Sequence, residues 1–192
     1  ISGRLAKEAM AGEVDSEIVD LKYILEKDAE VNILKFEDEI GQDVFRHTSS
    51  HILAQAVKRL FPNTKLAIGP AIDNGYYYDF DSEHKFVPED LEKIESEMKK
   101  IVKEDLQIER FELPRDGAIA LMKEKGEGYK VELIEDLPEG EIISFYKQGD
   151  FVDLCAGPHV KSTLEYTMQH VYQCLGAYWR GDEKNKMLQR IY

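Results

Sequence analysis

The chain has 192 residues, of which 43% are hydrophobic and 33% charged, and its formal net charge is -13 at pH 7. This composition predicts a globular unit with a real core. The negative charge argues against a general nucleic-acid coat protein, because phosphate binding needs lysine and arginine. No apolar run approaches the ~20 residues of a membrane span, and the first residues lack the charged-then-apolar order of a signal peptide. Two cysteines, Cys155 and Cys174, are too few for a disulfide scaffold, so a reduced cytoplasmic protein without membrane contact is expected.

Residues 1–36 are predicted to form part of a small unit. A short helix is expected at Ser2–Met10, and Glu17–Leu21 and Ala29–Leu34 alternate like strands on either side of a turn at Glu26–Asp28. A stretch of this length is too short to bury a core of its own. It is therefore expected to be an incomplete domain, or an extension packed on the rest of the chain.

The remaining residues predict helices and strands in no regular alternation. Helices are expected at Asp43–Phe61, from Pro88 onward, and at Pro114–Glu124. Strands are expected at Leu66–Ile72, Tyr76–Phe80, Leu106–Phe111, Tyr129–Ile134, Ile142–Tyr146, Phe151–Leu154 and Met168–Trp179, with Met187–Tyr192 as a last strand or connector. This order favours an α+β fold with an antiparallel or mixed sheet and helices on one side. No dinucleotide fingerprint or phosphate-binding loop is present, so nothing indicates nucleotide binding.

Three local groups of basic residues interrupt the acidic sequence. They are Lys58 and Arg59 with Lys65, Lys99 and Lys100 with Lys103, and Arg180 with Lys184 and Lys186. Each group is typical of a solvated helix or loop face, so charge alone does not indicate RNA binding.

Histidine and cysteine residues are concentrated in two short motifs. His47 and His51 are four residues apart on the predicted long helix, which places both imidazoles on one face. Cys155 and His159 flank a Gly157-Pro158 turn that can bring them to one point. Three imidazoles and one thiol are typical ligands of zinc. However, the first motif lacks the glutamate that follows the first histidine of the helical zinc peptidases.

Several explanations of these residues stay open. Either pair alone is more typical of a structural role, whereas both pairs together, with Asp153 close by, indicate a site. One alternative is a zinc-dependent hydrolase of small substrates that uses the same four residues. Another is a non-catalytic RNA-binding module, which would explain the basic groups but not the histidine and cysteine set.

As a set, these motifs resemble the second additional domain shared by threonyl- and alanyl-tRNA synthetases. The resemblance is carried by His47, Thr48 and His51 together with Cys155 and the Gly157-Pro158-His159 turn. Further segments resemble the threonyl-tRNA synthetases specifically, and not an alanyl-type or free-standing editing protein: residues 67–80, 129–134, 145–155 and 187–192.

The resemblance implies two units and an editing activity. Residues 1–36 would be part of a ubiquitin-like (β-grasp) TGS domain, and residues 37–192 the tRNA-editing domain, with a long helix flanking the active-site cleft. The implied reaction is hydrolysis of mischarged seryl-tRNA(Thr) to serine and tRNA(Thr). An editing site is useful because serine lacks only one methyl of threonine, and a missing methyl(ene) gives a pocket only ~1–3 kcal/mol of discrimination.

The resemblance also implies which residues line the site. They are His47, His51, Lys130, Asp153, Cys155 and His159 as catalytic residues and Tyr146 as a substrate-binding residue. We expect His47 or His51 to hold or activate water, and Cys155 and His159 to shape the water site. Lys130 would stabilise the oxyanion or contact the terminal ribose or phosphate. Asp153 would anchor the serine amino group or orient a histidine, and Tyr146 would exclude the extra methyl of threonine.

The expected cofactors and partners follow from the same resemblance. Editing is expected to need no cofactor, although zinc could bind at His47, His51, Cys155 and His159, as it does in the related alanyl domains. The implied partners are the acceptor end of tRNA(Thr) and the C-terminal aminoacylation and anticodon-binding domains of the same protein. That missing core would use ATP, Mg²⁺ and Zn²⁺, and the full-length protein is expected to be a homodimer.

Overall fold

A computed structural model describes residues 3–165, 171 and 173–192 of the chain. The described residues form five helices: α1 (Gly3–Glu8), α2 (Glu39–Leu60), α3 (Pro88–Lys103), α4 (Arg115–Glu124) and α5 (Gly128–Glu135). Their strands are β1 (Ala9–Val14), β2 (Glu17–Val19), β3 (Val31–Lys35), β4 (Lys65–Leu66), β5 (Ala71–Ile72), β6 (Gly75–Tyr76), β7 (Tyr78–Asp81), β8 (Ile108–Leu113), β9 (Ile143–Gln148), β10 (Phe151–Leu154), β11 (Cys174–Tyr178) and β12 (Met187–Ile191). The predicted α+β class is confirmed.

The strands of the described residues form four small sheets in which every pairing is antiparallel. The orders are β2-β1-β3, β10-β9-β8 and β11-β12-β7-β4, and β5 pairs with β6 as a hairpin. The turn of that hairpin lies at Asp73 and Asn74, and the strands expected at Leu66–Ile72 and Tyr76–Phe80 are each broken in two. Met187–Ile191 forms a strand between β11 and β7, so most of the segment predicted as a last strand or connector is a strand.

Helix α2 is the central element of the fold. It begins at Glu39, earlier than the predicted Asp43, because Asp38 forms the helix entry: its Oδ2 accepts the Lys35 N–H at 2.7 Å. Gly41 permits this entry, since a Cβ there would lie 1.8 Å from the Lys35 carbonyl oxygen. Residues 48–57 are buried on every side of the helix, so α2 passes through the core.

The largest apolar cluster joins residues from both predicted units. Met10, Ala11 and Leu34 pack in one cluster with α2 residues such as Ile52 and Leu53. The first residues therefore bury apolar surface against the rest of the chain, as expected for an extension that has no core of its own. The boundary at residue 36 stays a prediction.

Three further predicted elements differ in the structure. Residues 129–134 form helix α5 and not a strand, because Val131 and Ile134 lie on one helical face and pack with Ala118 and Met122 of α4. The first helix ends at Glu8, since the unpredicted strand β1 begins at Ala9. Within the predicted strand 168–179, only Cys174–Tyr178 is a strand; residues 168–170 and 172 lie outside the described residues. No described helix is both long and apolar enough to cross a membrane.

Candidate active site

Four side chains from distant parts of the sequence meet beside α2. His47 and His51 come from α2, and Cys155 and His159 from the turn that follows β10; their ligand atoms all lie within 4.8 Å of one another. Cys155 Sγ is 3.3 Å from His47 Nε2 and 3.2 Å from His159 Nε2. The sequence-based prediction that both motifs converge is therefore confirmed. These four residues are named the His/Cys cluster below.

The turn from Cys155 to His159 depends on a glycine. Gly157 has a φ of +77°, and a Cβ at this position would lie 1.9 Å from Tyr146 Oη. Its N–H donates to Cys155 Sγ at 3.2 Å, and the Gly157–Pro158 bond is cis. Only glycine tolerates both the positive φ and the close contact, so Gly157 fixes where the sulfur lies.

Thr48 determines which nitrogen of His159 carries a proton. Thr48 Oγ1 donates to the Val44 carbonyl at 3.0 Å and accepts the Val160 N–H at 3.2 Å. The Thr48 hydroxyl has a single proton, which it donates to Val44. His159 Nδ1 lies 3.0 Å from Thr48 Oγ1, so this nitrogen carries a proton and donates it to the hydroxyl oxygen. His159 Nε2 then presents a lone pair to the cluster.

Burial keeps the His/Cys cluster uncharged. Desolvation lowers the pKa of His47, lowers that of His51 to about 3 and lowers that of His159 well below its ordinary value. Desolvation also raises the pKa of the Cys155 thiol to about 12. At neutral pH the cluster therefore consists of three neutral imidazoles and a thiol, which together offer lone pairs and no net charge.

A buried carboxylate network lies next to the cluster. Asp153 Oδ1 is 2.8 Å from Lys130 Nζ, and Asp153 Oδ2 accepts the Tyr78 hydroxyl at 2.5 Å. His51 Nε2 is 3.6 Å from the same Oδ2. Burial opposes the charge on Asp153, but Lys130 and the hydrogen bonds hold its pKa below its usual value. Asp153, Lys130 and Tyr78 are named the Asp153 network below.

The donor set of the His/Cys cluster fits a metal ion. Zn–N distances of about 2.0–2.1 Å and a Zn–S distance of about 2.3 Å put tetrahedral donors roughly 3.3–3.6 Å apart. The two separations from Cys155 Sγ, 3.2 and 3.3 Å, are slightly shorter than the sulfur–nitrogen edge of about 3.5–3.6 Å. The largest separation of 4.8 Å exceeds this range, so the fourth donor would move inward. Four protein ligands would form a closed site.

A cleft of about 400 Å³ opens onto the cluster at His47. The β5–β6 hairpin forms one side, through residues 70–73, and Gly157 and Pro158 form another; Ile18 and Ile40 also line it.

Tyr146 does not line this cleft. It is buried, its ring centroid is 4.4 Å from that of His159, and its hydroxyl donates to Asp20 Oδ2 at 2.7 Å. Tyr146 therefore lies behind His159, and its role in excluding a methyl group stays a prediction.

Lys130 reaches the site from a helix, whereas the sequence predicted a strand. Its side chain is buried and paired with Asp153, so it is not a solvated residue. Tyr78, Thr48 and Asp20 are polar neighbours of the site that the sequence reasoning assigned no role. The alternation of buried Tyr76, Tyr78 and Phe80 was a signal that Tyr78 points inward, but it did not identify the partner.

Six of the nine residues in the basic groups of the sequence form ion pairs with acids. Lys58 lies 2.8 Å from Glu127, Arg59 2.6 Å from Glu104, and Arg180 2.5 Å from Asp136. Lys99, Lys100 and Lys186 have partners of the same kind. Pairing cancels most of the attraction for phosphate, which agrees with the interpretation of these groups as solvated faces.

Comparison with known proteins defines the class. Residues 143–192, from β9 to β12 and including Cys155 and His159, match the family described as "Threonyl and Alanyl tRNA synthetase second additional domain". These residues are thus similar to this synthetase-associated domain.

The particular relatives are threonine–tRNA ligases. Over all 192 residues the chain is 65% identical to that of Clostridioides difficile (strain 630), 67% to that of Acetivibrio thermocellus and 66% to that of Clostridium botulinum (strain Kyoto / Type A2). The chain spans about 30% of the length of each relative. The resemblance to threonyl-tRNA synthetases given by the sequence motifs is confirmed, and the chain corresponds to a segment of such proteins.

Proposed function

We propose that this chain is the editing part of a threonyl-tRNA synthetase, which hydrolyses the ester between serine and the terminal ribose of tRNA(Thr). The observation that carries the proposal is the His/Cys cluster of neutral imidazoles at the end of a cleft, with the ionised Asp153 network behind it. Ester hydrolysis needs a positioned water, a base and stabilisation of the oxyanion. A neutral imidazole in contact with the cleft is suited to the role of base.

His47 is the candidate base, because it is the cluster residue that lines the cleft. In the proposed reaction His47 accepts a proton from water while the water oxygen attacks the ester carbonyl carbon. The tetrahedral intermediate then collapses: the bond to the ribose oxygen breaks and His47 returns the proton to that oxygen. Serine and tRNA with a free ribose hydroxyl are the products, so no other reactant is needed.

The Asp153 network supports this chemistry from behind the cluster. Asp153 Oδ2 lies 3.6 Å from His51 Nε2, so the carboxylate acts on this ring through its charge. Lys130 places a positive charge beside the cluster, which favours the negative charge that develops on the carbonyl oxygen. Direct contact of Lys130 with ribose or phosphate is not part of the proposal, because its ammonium is buried against Asp153.

Zinc is not required by the proposed reaction. Bound to His47, His51, Cys155 and His159, it would supply a Lewis acid only if one ligand left, because four protein ligands leave no open position. The proposal also needs the His47 lone pair free to accept a proton. Stoichiometric zinc in the purified chain, lost in a Cys155→Ala/His159→Ala variant, would favour the alternative of a zinc-dependent hydrolase.

The proposed partners follow from the relatives. The proposed substrate is the acceptor end of tRNA(Thr), and the proposed location is the cytoplasm. The remaining 70% of the relatives' length would supply the aminoacylation and anticodon-binding domains, the ATP, Mg²⁺ and Zn²⁺ sites and the homodimer contacts. Because most residues of the basic groups are paired with acids and the net charge is -13, the isolated chain is expected to bind tRNA weakly and with strong salt dependence.

The decisive experiment is hydrolysis of seryl-tRNA and threonyl-tRNA by the chain and two double variants. His47→Ala/Cys155→Ala removes one histidine and the cysteine of the cluster. His84→Ala/Cys174→Ala is the matched control, because it removes the same residue types outside the cluster. We expect fast loss of serine, slow loss of threonine and an inactive first variant, with activity kept in the control. Equal rates for both variants, or no seryl-tRNA hydrolysis with enzyme in excess, would contradict the proposal.

A further inference from the structure

Asp20 lies just after β2, in the segment that precedes the predicted editing domain, yet it contacts the candidate site. Its Oδ1 accepts the backbone N–H of His159 at 2.9 Å, and its Oδ2 accepts the Tyr146 hydroxyl at 2.7 Å. The donors are 139 and 126 residues away in sequence. Both oxygens of one carboxylate are thus used to hold two neighbours of the His/Cys cluster.

The two hydrogen bonds act on the same part of the site. Tyr146 packs its ring 4.4 Å from that of His159, and its Oη lies where a Cβ of Gly157 would be. Asp20 therefore holds His159 directly by its backbone and also holds the tyrosine against which the Cys155–His159 turn packs. The position of His159 Nε2, 3.2 Å from Cys155 Sγ, depends on both contacts.

We propose that Asp20 is a positioning residue for the hydrolytic site, through which the N-terminal segment completes the editing centre. The inference rests on the proposed function and adds a requirement to it: residues 37–192 alone do not form the complete active site. Asp20 does not touch the reacting atoms in this arrangement. Its effect is exerted through His159 and Tyr146, and small displacements of catalytic groups reduce rates by up to about 100-fold.

The same segment has a second tether that provides a control. Lys22 Nζ donates to the Ile108 carbonyl of β8 at 3.0 Å, two residues after Asp20. This bond also ties the N-terminal segment to the sheet β10-β9-β8, but it makes no contact with the Cys155–His159 turn. Lys22→Met keeps the length of the side chain and removes only this tether.

The test compares steady-state deacylation of seryl-tRNA by the unmodified full chain and five variants of it, one of which is Tyr146→Phe alone. Asp20→Ala should lower kcat by about 10- to 100-fold with little change in KM, because the substrate does not contact Asp20. Asp20→Asn keeps an acceptor for His159 N–H and should recover most of kcat. Lys22→Met should retain the kcat of the unmodified chain. In a Tyr146→Phe background, Asp20→Ala should cause a smaller further loss, since the two residues act as one unit.

Failure of this inference differs from failure of the proposed function. If the unmodified chain deacylates seryl-tRNA and Asp20→Ala has the same kcat, the inference is wrong and the function stands. If the unmodified chain is inactive, the function is wrong, and alkylation of Cys155 by iodoacetamide in a Cys174→Ser background decides the inference. Asp20→Ala should then speed alkylation while Lys22→Met does not; equal rates in the two variants would refute the positioning role.

Discussion

The His/Cys cluster and the Asp153 network lie side by side, and the more deeply buried network is the one that carries charge. The cluster has no counter-ion among its own members, so desolvation keeps its imidazoles and thiol neutral. Asp153 is at least as deeply buried but keeps its charge, because Lys130 and Tyr78 stabilise the carboxylate. The comparison shows that burial alone does not set protonation: the partners within about 3 Å decide it.

Removing the partner of the buried carboxylate should have the largest effect. Lys130→Met leaves Asp153 buried without a counter-ion, and we expect the free energy of unfolding to fall by about 3–5 kcal/mol. Urea denaturation measures this change. Lys100→Met is the control, because Lys100 is exposed and its pair with Glu97 is worth about 1 kcal/mol or less. Equal effects of the two substitutions would mean that Asp153 is not ionised in the folded protein.

Removing one hydrogen bond from the same carboxylate should have an intermediate effect. Tyr78→Phe deletes the donor to Asp153 Oδ2 and should reduce the free energy of unfolding by about 1–3 kcal/mol. Tyr129→Phe removes a comparable bond, from Tyr129 to Asp81 Oδ2 at 2.8 Å, in a partly exposed place where water can replace the donor. Urea denaturation of both variants should show the larger loss for Tyr78→Phe; the reverse order would show that the contact with Asp153 contributes little.

An ion pair near the surface should have the smallest effect, and one that depends on pH. His84, followed by the backbone N–H of Val87 and by Lys93, lowers the pKa of Asp90 against the effect of burial. Since the folded pKa is below the unfolded one, the stabilisation is present above the ordinary pKa of aspartate and disappears as pH falls through the folded value. Asp90→Asn should therefore cost about 0.5–1 kcal/mol near pH 6 and less near pH 2. Urea denaturation at both pH values tests this; a difference of the same size near pH 2 would mean that charge is not its cause.

The sequence predicted the candidate site best where the residues concerned lie close together in one helix or one turn. The four-residue spacing of His47 and His51 fixed their common face, and the Gly157-Pro158 turn indicated that Cys155 and His159 meet. Lys130 was placed on the wrong element, because the alternation in residues 129–134 fits a strand while Val131 and Ile134 also fit one helical face; packing on α4 decides between them. Asp20 and Tyr78 could not be paired with the site, since contacts across 75 to 139 residues leave no local signal.

The position of β12 has a consequence for how the polypeptide is made. This strand lies between β11 and β7, so β7, at residues 78–81, has no partner on that side until residues 187–191 have been synthesised. At about 5–20 residues per second, the ribosome needs roughly 5–20 s to add the intervening segment. During that time the growing chain exposes an unpaired strand edge, of the kind that chaperones bind and that neighbouring nascent chains can pair with.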